Sequence, residues 1–279
     1  MYKRQIELSS FSKFEIEGRS AREYIDKLVA NNIPKNVGGL SLVHALNPSG
    51  SIRSEFTITR LSDGILGEKF FVVGPGAAHN IDLDFLQKSM PKDGSVHLSD
   101  KTNQYGVFVL AGPNARSVLQ KIADADISNQ SFKWLSMQEI PIGFCPNVRA
   151  MRVNFVGSLG WELHHPIEYQ LQLFEALQEA GAEFEIKNVG MRAMDSMRLE
   201  KSYRLWGTDL NAENSALEAN LHRFIELNKG EFTGRQALVE QQEQGVPNKF
   251  CTIEIEAVSY THLRAHETRE DLVCRLLLE

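Results

Sequence analysis

Along the first half of the chain the apolar positions change period several times. Phe14 and Ile16 alternate with polar neighbours, which predicts a short strand. Ala21, Tyr24, Ile25, Leu28 and Val29 then recur at helical spacing, with Ser20 placed as an N-cap and Asn31, Asn32 and Pro34 as the stop. The stretch 40–46 reads as a strand closed by the turn Asn47-Pro48-Ser49-Gly50. Over 51–61 the period is two. Ile52, Phe56 and Ile58 share one face, and Arg53, Glu55, Thr57 and Thr59 share the other, so one face is core and one polar. A strand over 69–73 follows, then a helix over 77–90 with Ile81, Phe85 and Leu86 inward.

The second half repeats the mixture. An apolar strand over 105–110 ends in Ala111-Gly112-Pro113, and Pro113 suits the first turn of a helix whose stripe is Val118, Leu119 and Ile122. Strands are predicted over 137–144, 147–155 and 161–165, the last two joined by a tight turn. A helix with Ile167, Leu171, Phe174 and Leu177 on one side comes next, and another over 191–200. The order lacks the regular strand–helix alternation of a parallel sheet. It predicts an α+β fold of mainly antiparallel sheets with flanking helices. The polar stretch 99–103 is the expected joint between two α+β subdomains, 6–103 and 104–257. The ends, 1–5 and 258–279, share no period with the rest and resemble peptides made when sequencing-adapter DNA is translated. They are expected to be artefacts and are set outside the fold.

Composition narrows the class. Length alone, 279 residues, suggests roughly two domains. Thirty Lys and Arg against thirty-six Asp and Glu give a formal charge of −6, with no basic run, so nucleic acid is not an expected partner. No apolar stretch approaches the roughly 18–20 residues that span a bilayer, so no membrane partner is expected. Cys145, Cys251 and Cys274 are far apart without a CxxC pair, as in a reducing compartment. Cytoplasm is the expected location, or the mitochondrial matrix in a eukaryote.

The familiar motifs give little. There is no Walker loop and no GxGxxG. Gly74-Pro75-Gly76 reads as a plain turn, because Pro75 removes an amide donor. Adjacent His164 and His165 point to opposite faces of a strand, which argues against zinc. Residues 155–162 are more informative. Gly157 and Gly160 bound a turn that is expected to bring Phe155 and Glu162 together across a hairpin. A ring beside a carboxylate suits a flat ligand with N–H groups along one edge. On the residues alone, the plainer assignment of a solvated Glu162 and a core Phe155 is preferred.

Taken together, residues 155–163, Arg198-Leu199-Glu200-Lys201, residues 203–207, Leu217-Glu218-Ala219 and Leu227-Asn228-Lys229 resemble the folate-binding aminomethyltransferase (glycine cleavage T-protein) family. Arg204-Leu205-Trp206-Gly207 and residues 232–238 lean toward the C-terminal half of dimethylglycine and sarcosine dehydrogenases. The resemblance covers roughly 7–257. It implies an aminomethyltransferase-like folate-binding fold without its C-terminal β-barrel, and a tetrahydrofolate cleft. Glu162 falls where the family holds the pterin N–H edge. Phe155 stands where tyrosine is usual, and Tyr203 at a folate contact. Glu55 falls at the catalytic carboxylate, aspartate in aminomethyltransferases, and Met194 where those enzymes carry arginine. The implied reaction moves a CH₂ from a small methylated-amine-derived iminium, or an aminomethyl group, to tetrahydrofolate, giving 5,10-methylenetetrahydrofolate. In the dehydrogenase branch an upstream flavin domain in cis makes the iminium. No glycine-rich fingerprint precedes Glu7, so FAD is expected only in a missing upstream domain. The chain thus resembles a fragment of such an enzyme. A stand-alone aminomethyltransferase of glycine cleavage and a non-catalytic folate-binding or interaction module remain alternatives. Arg198 is expected in a packed ion pair, Trp206 fits either cleft or core, and Asn220 is expected to tolerate a left-handed backbone.

Overall fold

The computed structural model describes residues 3–253, so the stretch 258–279 lies outside the described residues. In chain order the strands are β1 (Lys3–Glu7), β2 (Ser12–Gly18), β3 (Leu40–Leu46), β4 (Ile52–Gly64), β5 (Gly67–Gly74), β6 (His97–Asp100), β7 (Tyr105–Ala111), β8 (Met137–Ile142), β9 (Cys145–Met151), β10 (Gly160–Pro166) and β11 (Ile186–Asn188). The helices are α1 (Ala21–Leu28), α2 (His79–Ser89), α3 (Ala115–Ile122), α4 (Gln170–Gly181), α5 (Met191–Leu199) and α6 (Arg235–Gln244). Two sheets result, ordered β3-β4-β5-β2-β6 and β11-β1-β7-β10-β9-β8. Every pairing is antiparallel except β1 with β11. The fold is α+β, as the changing period predicts.

Strand alternation decides how the sheets stack. In the five-stranded sheet one face carries Phe14, Ile16, Val43, Phe56, Ile58, Phe70 and Val72, and these bury Tyr24, Ile25 and Leu28 of α1 and Leu86 of α2. In the six-stranded sheet one face carries Phe108, Leu110, Val148, Trp161 and Leu163, covered by Val118 and Leu119 of α3 and Leu173 and Leu177 of α4. The opposite faces meet each other: Phe71 and Val73 of β5 pack with Met137 of β8 and Met151 of β9. The order of layers is helix, sheet, sheet, helix. The segment after α5 folds back on the first sheet, where Leu210, Leu217, Phe232 and Leu238 bury Ala30, Leu46 and Ile52. Trp206 is partly buried against that cluster, on the core side of its two alternatives.

Several local expectations are corrected. Lys3 to Gln5, set outside the fold by sequence, pair with β11, and Arg4 and Gln5 pair with β7 as well. The expected joint at 99–103 begins inside β6, whose Ser99 pairs with Glu15. Ser20 takes the N-cap position of α1 without a side-chain capping bond. On α2 the inward residues are Asp82 and Leu86, and Ile81 is 59% exposed. On α4 Leu173 and Leu177 face in while Leu171 is 65% exposed. In both helices the apolar count matched a stripe, but the sheet accepts a face rotated by a residue or two. Asn220 does take a left-handed backbone, at φ 55°. Among the described residues no helix is long and apolar enough to cross a membrane.

Candidate functional site

The layer between the sheets is where the polar residues gather. Glu162 and His164 share one face of β10, since alternation sends Trp161, Leu163 and His165 to the other. Glu162 lies opposite Val109 of β7 and Met151 of β9, in the middle of the sheet. It is 8% exposed, which overturns the solvated reading. Its one partner among the described residues is His164, whose Nε2 stands 3.2 Å from Oε2. An ionised carboxylate only accepts, so Nε2 carries the hydrogen. Burial depresses the His164 pKa, with the Glu162 hydrogen bond and charge pulling the other way. The ring is therefore an uncharged donor at neutral pH, packed edge-on to Phe71 at 5.5 Å. His165 goes to the far face, stacked on Phe108 with Nε2 2.6 Å from Gln170.

The expected tight hairpin is a longer loop. β9 stops at Met151, which pairs with Glu162, so Phe155 is not its cross-strand neighbour. Instead Asn154 folds the loop on itself: its Oδ1 accepts from the Val156 amide at 2.9 Å and its Nδ2 donates to Ser158 O at 2.8 Å. That turn delivers Phe155 to the Glu162 face by another route. The ring packs against a buried cluster that includes Val109, Val156 and Met194, and lies 6.0 Å from the ring of Tyr203 at 35°. Gly157, at φ 67°, leaves room for Lys201, whose Cγ would sit 2.5 Å from a Cβ there. Tyr203 is 41% exposed. Its position is set by Arg198, which donates Nη1 to Tyr203 O at 2.9 Å and pairs with Asp195 and buried Asp209. Arg198 is a packed ion pair, as its setting on α5 suggests.

Glu55 stands on the facing sheet. Two residues along β4, Thr57 pairs with Val73, and Val73 packs with Met151, the β9 neighbour of Glu162. Both carboxylates thus belong to one layer, on opposite walls. The Glu55 side chain is 20% exposed, and its Oε2 lies 3.0 Å from Nε2 of fully buried His44. His44 on β3 is directly opposite Glu55.

Two surface grooves among the described residues lie elsewhere. One, of about 440 Å³, is lined by Val37, Leu61, Lys69, Met137, Glu139 and Arg149, with none of Glu55, Phe155, Glu162 or Tyr203. Its cations are already engaged: Lys69 and Arg149 bracket Glu15 at 2.8 Å each. The other, of about 370 Å³, lies along Gln104, Tyr105 and Ile167. Chemistry weighs more than concavity here, because the layer holds the carboxylates with incomplete partners. What the sequence reading missed is the pair of histidines. For His164 the signal was present, since it stands two residues from Glu162 on one strand, whereas His44 meets Glu55 only through the β3–β4 pairing.

Comparison with known proteins gives a consistent picture. The family described as GCVT N-terminal domain matches residues 4–229. The chain is 38% identical over 250 residues to rat mitochondrial dimethylglycine dehydrogenase, covering 89% of this chain and 28% of that protein. It is 28% identical over 260 residues to an aminomethyltransferase of Thermoanaerobacter sp. (strain X514), covering 89% of this chain and 66% of that one. Among solved structures, the glycine cleavage system aminomethyltransferase T from Bartonella henselae superposes with a TM-score of 0.76 at 22% identity, over 89% of this chain and 65% of that chain. The chain therefore spans little more than a quarter of the length of the dehydrogenase it matches.

Proposed function

The chain belongs to the GCVT N-terminal domain family, and on that footing we propose that it binds a reduced folate between its two sheets and transfers a one-carbon unit to it. The observation that carries this reading is Glu162. Its carboxylate is withdrawn from solvent, with a single uncharged imidazole as partner. A buried carboxylate costs several kcal/mol unless donors surround it. The N–H edge of a pterin supplies the donors that the protein leaves out. Phe155 and Tyr203, in contact with each other, offer apolar ring surface to the same ligand.

Tetrahydrofolate supplies the amine nitrogens that take up the carbon. The balance is an iminium, R₂N⁺=CH₂, plus tetrahydrofolate, giving 5,10-methylenetetrahydrofolate, R₂NH and one proton. Glu55 faces this chemistry from the opposite wall. As an anion it stabilises the iminium charge, and as a base it takes the released proton. The similarity to dimethylglycine dehydrogenase supports a methylated amine as the source of the iminium, and a flavin domain in cis as its maker. The same similarity supports a mitochondrial matrix setting in a eukaryotic source, and the bacterial relative supports cytoplasm otherwise.

Calorimetric titration of tetrahydrofolate into the 279-residue chain, with Glu162→Ala alongside, tests the reading. One site is expected, weakened about 10- to 100-fold by the substitution, the worth of hydrogen bonds to a charged group. Equal binding by both would remove Glu162 from the site. No binding by a folded parent would end the folate reading.

A further inference from the structure

We propose that His44 is a positioning residue for Glu55, an inference that rests on the folate-transfer reading above. Four observations carry it. His44 Nε2 lies 3.0 Å from Glu55 Oε2 and is the one partner the described residues give that carboxylate. The imidazole is fully buried, while the Glu55 side chain keeps one-fifth of its surface open. The ring is fixed from behind by Phe224, 5.7 Å away and tilted by 58°, and its strand by the Ala30 amide, which donates to His44 O at 2.9 Å. The juxtaposition also depends on a bulge. The β3–β4 register slips by one residue between Ala45 and Leu46. Counted from the turn end of the hairpin, where Leu46 faces Ile52, a register without that slip would set His44 against Ser54 and Glu55 against Val43, on the core side of the sheet.

The consequence is mechanical. A glutamate at the edge of a cleft has three rotors and many orientations. A rigid donor on Oε2 selects one of them and leaves Oε1 for the substrate. Glu162 receives the same treatment from His164 on the other wall, so each carboxylate has one oxygen held by a buried imidazole. Since the held oxygen is spent on orientation, His44 acts on the rate of transfer through Glu55, and leaves folate affinity alone.

The test uses the full chain and two readouts. Methylene transfer is followed from the N-hydroxymethyl adduct of a secondary amine, which yields the iminium by losing hydroxide, to tetrahydrofolate, above the spontaneous rate. Tetrahydrofolate affinity is measured by calorimetry on the same samples. His44→Leu is expected to lower kcat about 10-fold with affinity within 2-fold, and His44→Gln, which keeps an N–H donor, to recover most of the rate. In a Glu55→Gln background, His44→Leu is expected to change nothing further. The same loss with and without Glu55→Gln, or affinity falling in step with rate, would overturn the proposal. Should the leucine variant fail to fold, imidazole nitrogen NMR of the parent decides: a hydrogen-bonded His44 Nε2–H that disappears in Glu55→Ala is expected, and its absence from a folded parent would overturn the proposal. A parent that shows this signal but binds no folate would instead bring down the underlying reading, and the two failures are told apart.

Discussion

Asp82 is a buried carboxyl that the proposed chemistry does not use. It sits on α2 with Oδ1 accepting from Ser54 Oγ at 2.5 Å and Oδ2 unpartnered. Burial pushes its pKa up to about 6, against pulls from Ser54, Arg53 and His79. The folded state therefore holds this proton more tightly than the unfolded chain, whose value is about 3.8. Stability from this group is full below about pH 4 and is lost as pH rises to 6 and beyond. Asp82→Asn is expected to be more stable than the parent by about 1–3 kcal/mol at pH 7.5, with no gain at pH 4, read by urea unfolding. At this scale the sequence showed residue types and their alternation, but not what faced them. Glu162 looked solvated because nothing in its own strand says that a second sheet covers it. The same blindness hid Asp82, which occupies a helix face that was assigned to Ile81.

Elements were legible where a stripe is purely apolar and local. α1 buries the four residues of its pattern within its bounds, and β3 runs over the residues that the alternation and the following turn delimit. Elements failed where pairing depends on a partner. The bulge that brings Glu55 opposite His44 leaves no mark in the spacing of either strand. The connection from β9 to β10 was read as a tight turn from its glycines, whereas the Asn154 side chain makes it a looped turn. One element-level link holds Tyr203 in place: Arg198 of α5 pairs with Asp209, whose Oδ2 also accepts from the Leu205 amide at 2.9 Å. Both partners are buried. Asp209→Ala leaves a buried guanidinium with the half-exposed Asp195 as its one remaining carboxylate among the described residues, and is expected to cost about 3–5 kcal/mol. Amide exchange should accelerate first over 200–209; uniform acceleration across α5 and β10 would contradict this local role.

Over the whole molecule, the two-sheet stack is pinned by charge as well as by apolar contact. Glu15 of β2 takes Lys69 on one oxygen and Arg149 of the other sheet on the second, and Arg149 is stacked 4.7 Å from both Phe71 and Tyr105. Burial alone would raise the Glu15 pKa, but the bonds and charges of Lys69 and Arg149 outweigh it and hold it below the ordinary carboxylate value. The folded value lies below the unfolded one, so this stabilisation is present above the unfolded value and is lost as pH falls through the folded one. Glu15→Gln is expected to lower the urea midpoint at pH 7 and to flatten its decline between pH 5 and 3; an unchanged acid slope would count against the clasp. The α+β class followed from the mixture of periods, but the stacking order did not, because it depends on which strand faces meet. In the proposed function this stack holds a reduced pterin on Glu162. A crystal structure of the chain with a stable reduced folate tests it most directly. The N–H edge of the pterin is expected about 2.7–3.2 Å from the Glu162 carboxylate, with its ring beside Phe155 and Tyr203. A pterin seated in the groove of Leu61, Lys69 and Arg149, with Glu162 still bonded only to His164, would contradict it.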